Sequence, residues 1–545
     1  MKNRVRYKKM RTRRGTDQRR GKTSANWCRK PKPIRWDAPR FESLLARADN
    51  QLQCSYLPEP ILSFGGKQQC EDPRTGLAAF GPYSKAEATR RQHIRIGIVG
   101  PAEAIDKAVG FLGQLAQRIE PAPKTDAVLH PAFPGVNSGD PFQIEFVTQP
   151  LWHRPLKPRD LTLIEGHPNF TQRVGMLVSA VTTQIKALKA LDSCPDVVIC
   201  AMSKKLEDLC RVGIAEYDRE QAHTDDGVDT EDITELAPEV QSGGDAEELG
   251  SEAARSFRRG LKAECLNVLP TQLMWHRTLA GTRGVQDLAT RAWNLTVALL
   301  YKAEIIPWRL SDVIEGTCFV GISFFHEDED RSATLRTSVA QAFTERGEGF
   351  VLQGDSFDWD SQKTGEKAPH LDSTQARAVL EKVLRVYEDQ VGASPRKVVL
   401  HKTSRYTAEE RKGFEEALKG VSHYGFITIT RRGIFCLRPG KKSVLRGTVV
   451  DFGQKRGLIY SVGYVPFLRC YPGFRIPQPL EVTESWGSVS LREAAEDILK
   501  LTKLNWNTAA FNCRDPITLA FSRRVGDILK MAKGREPALH YRYYM

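Results

Sequence analysis

Short apolar runs, each followed by a stretch of helical periodicity, constrain this chain more than any other feature. His93–Gly100 reads HIRIGIVG and residues 196–201 read DVVICA. Runs of this kind suit strands buried on both faces, as in a parallel sheet covered by helices. Helical spacing follows at 102–120, a further strand is predicted over 142–149, and a helix over 174–191. A basic helix at 253–265, a strand at 267–274 and a long helix at 287–303 continue the series. A second series opens with a strand at 318–325 and further strands within 334–351. It runs on through a helix at Ser373–Val391, a strand at Lys397–Lys402, a helix at 407–421 and a strand at His423–Arg431. Strands within 444–465 and helices at 491–504 and 516–533 close it. This alternation predicts two α/β units meeting near residue 315.

The 545 residues are 41% hydrophobic and 27% charged, enough for substantial cores and incompatible with a wholly disordered chain. No apolar run approaches the roughly 20 residues that span a bilayer, so no membrane partner is expected. The basic start has no apolar segment behind it to make a secretory signal. Eleven Cys without a CxxC pair suit reduced thiols, and a cytoplasmic location is expected.

Charge is unevenly spread. Residues 1–36 carry 15 Lys or Arg against Asp17 alone, and residues 216–252 carry 14 acids against Arg219 alone. With the net charge at +14, the rest of the chain is itself basic at +13, which points to a polyanionic partner. The expected organisation is a basic tail over 1–48, a first domain over 49–314 with an acidic loop insert at 216–252, and a second domain over 315–545.

The stretch from Phe257 to Trp308 carries the chemistry. Arg258 and Lys262 lie four apart on one helix face. Gln272 follows in PTQLMWHRTL, and Lys302 ends the apolar run of NLTVALLYK. Three cations and an amide suit a tetrahedral anion such as a terminal phosphate, at about 1.5–3 kcal/mol per charged hydrogen bond. GIVGPAEA lacks the G-x-G-x-x-G spacing of a dinucleotide site.

The order of these pieces, with FVGISFF, PRKVVLHKTSRYTAEERKGFEEAL, YGFITITRRGIF, LNWNTAAFNCRDPITLAFSRRVGDIL and the terminal HYRYYM, resembles the MID-to-PIWI passage of Argonaute proteins. PEPILSF…DPRTGLAAFGPY and IRIGIVG resemble the start of short prokaryotic Argonautes, which lack N and PAZ domains. The resemblance implies a Rossmann-like MID domain followed by an RNase H-like PIWI domain. It makes Arg258, Lys262, Gln272 and Lys302 a pocket for a guide 5′-phosphate. The Met545 carboxylate would reach that pocket, often with a divalent ion, here Mg²⁺.

Slicing relatives hold two metals with carboxylates, because both the attacking and leaving oxygens need stabilisation. By position, Ser323, Thr403 and Phe521 stand where those ligands belong, and Lys402 would repel a cation. The expectation is a catalytically inactive PIWI domain, hence no enzyme. Lys402, Arg405, Arg431, Arg432, Arg523 and Arg524 become candidates for nucleic-acid phosphates. The implied role is guide-RNA-directed recognition of single-stranded invader DNA in antiviral abortive infection. The resemblance also implies an APAZ-containing effector partner, TIR or sirtuin-like, and possible higher oligomers on activation. The alternatives are an autonomous guide-directed endonuclease and a general RNA-binding accessory protein.

Overall fold

In the computed structural model, the first apolar run becomes strand β4 (His93–Gly100), the centre of a wholly parallel sheet. The structure describes residues 53–87, 91–123, 126–210, 257–282, 285–326, 334–343, 349–358, 368–431, 434–436, 438, 440–473, 476–532 and 534–545. The basic tail and the acidic insert lie outside these residues.

Ahead of β4 come three short strands, β1 (Gln53–Tyr56), β2 (Leu62–Ser63) and β3 (Gln69–Cys70). Beside β4 lie β5 (Glu145–Val147) and β6 (His153–Pro155) on one edge, with β7 (Val197–Ala201) and then β8 (Thr271–Met274) on the other. All five residues of β7 are buried, as its unbroken apolar sequence requires. Helices Ala102–Leu115, Phe170–Lys189 and Leu288–Lys302 complete this Rossmann-like half.

A short strand, β9 (Arg309–Leu310), pairs with β2 and leads into the second half. There, β10 (Thr317–His326), β11 (Thr334–Phe343) and β12 (Gly349–Asp358) form an antiparallel meander. Strands β13 (Lys397–Lys402) and β14 (His423–Arg431) add to β10 in parallel, giving the strand order of an RNase H-like core. The sheet continues through β17 (Leu480–Gly487), β16 (Arg456–Ile459) and β15 (Thr448–Gly453), and β1 closes that edge. Helices Ser373–Val391 and Ala408–Ala417 pack together, with their apolar faces in the same core cluster as alternate residues of β10 and β13. Helix Ile517–Met531 packs against β10 and β11.

Two expectations change here. The start of the expected first domain belongs partly to the second sheet, because Gln53–Tyr56 pairs antiparallel with Thr448–Asp451. Strand β17 was not foreseen; its Glu481 and Glu484 interrupt any apolar run, and its place comes from pairing with β14 and β16. The two halves share one core. Ile94 and Val197 of the first sheet join Trp293 and Leu299, which join Ile517, Val525 and Tyr544.

Candidate nucleic-acid interface

Helix Phe257–Cys265 lies between the two halves. At Gly260 a Cβ would stand 3.1 Å from Val178 and 3.4 Å from Met531, so glycine lets two helices approach at once. The residue before it, Arg259, pairs with Asp527 of the Ile517–Met531 helix at 3.3 Å. The packing drives Lys262 inward, to 1% exposure, where its Nζ donates to the Thr271 carbonyl at 2.6 Å. Lys302, 3% exposed, ends its own helix and donates to Gln272 Oε1. Gln272 Nε2 in turn donates to the Leu273 carbonyl at 3.1 Å.

Two buried ammonium groups therefore converge on neighbouring residues of β8. Cys200, on the adjacent strand, registers both: burial pushes its thiol pKa up, and Lys262 and Lys302 oppose that rise. Burying a cation costs several kcal/mol, and burying two side by side favours an anion at the same place. Each lysine sits in the last turn of its helix, where the negative dipole end offsets part of the cost.

Arg258 is half-buried and lies near the Tyr541 hydroxyl, which also accepts a hydrogen bond from Arg524. Burial raises the Tyr541 pKa, and both guanidinium groups act against it. Met545, 3% exposed, lies in the core cluster that holds Tyr541, Tyr544 and Phe521. An ion pair from Arg542 to Glu304, which also pairs with Arg91 at 3.1 Å, ties this C-terminal segment to the first half.

Below this region, β10, β13 and the Ile517–Met531 helix meet closely. A Cβ on Gly321 would stand 1.9 Å from the Thr518 carbonyl. Ser323 Oγ donates to the Ser522 carbonyl at 3.1 Å, and His401 Nδ1 lies 2.8 Å from Thr518 Oγ1. Gly321 is in register with His401, and Thr403 follows directly after the end of β13. Phe521 stacks on Tyr541 instead of facing solvent. Among the described residues, no group of three or more His, Cys, Asp or Glu is placed to hold a metal ion.

No family model matches the sequence, and no curated protein matches it. Solved structures do. The crystal structure of A. aeolicus Argonaute is similar at a TM-score of 0.52 and 14% identity, over 89% of this chain and 54% of that one. Clostridium butyricum Argonaute bound to a guide DNA and a 19-mer target DNA gives 0.56 and 13%, over 91% and 55%. The structure of Aa-Ago with externally bound siRNA gives 0.51 and 15%, over 91% and 56%. The fold is the one Argonaute proteins carry. This chain spans a little over half the length of these structures.

Within this Argonaute fold, the expected phosphate residues separate by burial. Lys262, Gln272 and Lys302 come together, with Arg258 one helical turn away. Arg405 and Thr403 are exposed, and Arg524 is half-buried beside Phe521, its guanidinium 5.9 Å from the ring centre. Arg432 and the Arg523 side chain lie outside the described residues. Arg431 is committed to an ion pair with Asp515 through both its Nε and Nη2.

Lys402 corrects two expectations. Strand alternation turns it to the opposite sheet face from His401 and Ser323, so it neither meets a phosphate nor repels a cation at the Ser323 locus. It is 1% exposed, pairs with Glu410 and lies 5.3 Å and 5.4 Å from the Phe324 and Tyr406 ring centres. Sequence reasoning missed Tyr541 as part of the interface. The only signal for it was the cluster of aromatics in HYRYYM.

Proposed function

We propose that this chain binds the 5′-phosphorylated end of a guide RNA and uses the paired guide to recognise single-stranded target DNA without cutting it. The observation that carries the reading is the convergence of Lys262 and Lys302, both buried, on Thr271 and Gln272. A terminal phosphate brings two charges to that place, while guide–target pairing would carry the sequence information. Arg258 and Arg524 would extend the cationic surface across both halves.

A Mg²⁺ shared between the phosphate and the Met545 carboxylate belongs to the same reading. Carboxylate and phosphate oxygens are the hard donors such an ion takes. The chain would contribute Met545 alone, since Gln272 Oε1 already accepts from Lys302. The lack of cleavage is supported by Ser323, Thr403 and Phe521 at positions where slicing relatives carry metal ligands.

The resemblance supplies the rest of the proposal. The chain would act in the cytoplasm as the sensing half of an antiviral abortive-infection pair, with an APAZ-containing effector, TIR or sirtuin-like, that consumes NAD. Target pairing must favour the active arrangement of that pair over the resting one for any switch to occur.

The test is a binding comparison with 5′-phosphorylated and 5′-hydroxyl RNA of one sequence. Lys262→Ala and Lys302→Ala should weaken the phosphorylated form by roughly tenfold or more, and the hydroxyl form far less. Equal losses for both would reject the pocket. Mg²⁺-dependent cutting of target DNA by the purified chain would reject the non-cleaving reading.

A further inference from the structure

A second cleft is lined by the start of helix Pro73–Phe80, residues 128–130, 286 and 290, and loop residues from 462–473, 476, 478 and 510–514. It is an open recess with a cavity volume of about 170 Å³, room for one large side chain rather than a whole ligand.

Arg74 is the best-defined group in it. It is 9% exposed, and it bridges the two halves by donating from Nη1 to the Leu129 carbonyl at 2.7 Å and from Nε to the Ala509 carbonyl at 3.0 Å. Its Nη2 makes no hydrogen bond among the described residues. Burial lowers the Arg74 pKa, with Asp72 and Asp287 acting the other way. Arg514, which donates to Gln478, brings a second guanidinium to the same cleft. Asp72 also lines it; Thr75 takes Asp72 Oδ2 through its amide and its hydroxyl, at 2.8 Å and 2.7 Å.

The walls are apolar. Leu468 and Phe511 are buried, and Phe467 stacks on Phe511 with ring centres 6.2 Å apart. Val128 and Ile476 of the lining are exposed, at 46% and 63%, and Phe467 beside Phe511 is 39% exposed. Exposed apolar groups at the rim of an open, charged recess suit a protein contact more than a closed small-molecule site. Two guanidinium groups select carboxylates, while Asp72 offers an acceptor to a backbone amide.

We infer that this cleft docks an acidic segment of a partner protein that inserts one large apolar side chain. The site is independent of the guide-binding reading and of the residues assigned to it.

The probe is a fluorescein-labelled octapeptide with one phenylalanine flanked by aspartates, titrated by anisotropy against the full chain. Saturable binding is expected, weakened at least tenfold by Ile476→Asp and by Arg514→Ala. Ile476 is a surface residue, so its substitution keeps the fold, and a melting curve checks both variants. A peptide with lysines in place of the aspartates should not bind. The inference is overturned by no saturation up to about 1 mM, the weak limit of a specific contact. Equal binding of the lysine peptide, or unchanged binding to either folded variant, overturns it too. Displacement by N-acetylphenylalanine at the peptide's own concentration would make the cleft a small-molecule site. Displacement by single-stranded RNA would put the peptide on the nucleic-acid surface; either result rejects the inference.

Discussion

Phe521 and Tyr541 stack face to face, with ring centres 4.1 Å apart and planes 12° from parallel. The first is a residue that the sequence resemblance sets at a lost metal-ligand position, and the second belongs to the terminal turn Tyr541–Tyr543. Both are 2% exposed. The locus is thus occupied by an aromatic pair that seats the C-terminal segment beside Arg258 and Arg524. Phe521→Ala should cost about 3–5 kcal/mol, the usual cost of emptying a buried aromatic site. Phe521→Asp should leave target cleavage absent, and it should raise hydrogen exchange over residues 538–545. Protection of those residues unchanged from the parent chain would show that the stack does not hold the segment.

The Lys402–Glu410 pair tests the corrected role of Lys402. Glu410 also accepts from the Leu371 amide at 3.1 Å and the Thr407 amide at 3.0 Å, and lies 3.2 Å from His370 Nδ1. Burial pushes its carboxyl up, but His370, Lys402 and the Thr407 amide together hold it below the usual range. Glu410→Gln leaves a buried ammonium without its counter-charge, a change that costs about 3–5 kcal/mol. Urea unfolding should show that loss, while oligonucleotide affinity of the folded variant stays within about twofold of the parent. A large loss of affinity would return Lys402 to the interface.

Where sequence alone located elements, local chemistry had marked their ends. Helix Ser373–Val391 lies where its periodicity put it because Asp372 and Gln375 close a capping box at one end and Gly392 takes a left-handed conformation at the other. Thr407 and Glu410 do the same for the next helix. Strand β1 had no such mark. All four of its residues are exposed, and only pairing with β15 defines it. The burial of Lys302 was legible because it closes an apolar run, a position that needs a reason in the fold. Lys402 was misread because matching a family position ignores which sheet face a residue turns to. The Phe521–Tyr541 stack joins residues 20 apart through tertiary packing, and no local periodicity reports it.

Glu59 joins the segment after β1 to the second half. It pairs with Arg446 at 2.8 Å and with Lys503 at 2.9 Å, and both cations are 2% exposed. Arg446 also donates to Thr502 Oγ1 at 2.9 Å, and Lys503 lies 3.5 Å from the Phe511 ring centre. One carboxylate thus holds two buried cations. Glu59→Gln should destabilise the chain by about 3–5 kcal/mol, more than a surface pair would show. A change in midpoint below about 1 kcal/mol would mean that water or another group takes over the pairing.

His401 gives the chain an acid limb. It is fully buried, Lys397 lies near, and desolvation pushes its pKa down to about 3 from an ordinary 6.5. The unfolded chain therefore binds a proton that the folded one rejects between those values. This stabilisation is complete above pH 6.5 and is lost as pH falls toward 3. Melting temperatures between pH 6.5 and 4 should fall less steeply for His401→Leu than for the parent, whatever the variant's stability at neutral pH. Parallel slopes would assign acid sensitivity to other groups.

Salt dependence separates the remaining basic residues. A cation that contacts a phosphate releases counterions, so its removal lowers the slope of log K against log salt by about 0.7 for a single strand. Arg524 faces the junction of the two halves, and Arg405 is exposed at the end of β13. Arg431, by contrast, spends its charge on Asp515. Arg524→Ala and Arg405→Ala should therefore each reduce the slope for 5′-phosphorylated RNA, or for its complex with target DNA. Arg431→Ala should leave the slope unchanged and cost stability instead, since it strands the Asp515 carboxylate. A slope change for Arg431→Ala as large as that for Arg524→Ala would mean that nucleic acid competes successfully for Arg431, and that burial is a poor guide to the interface here.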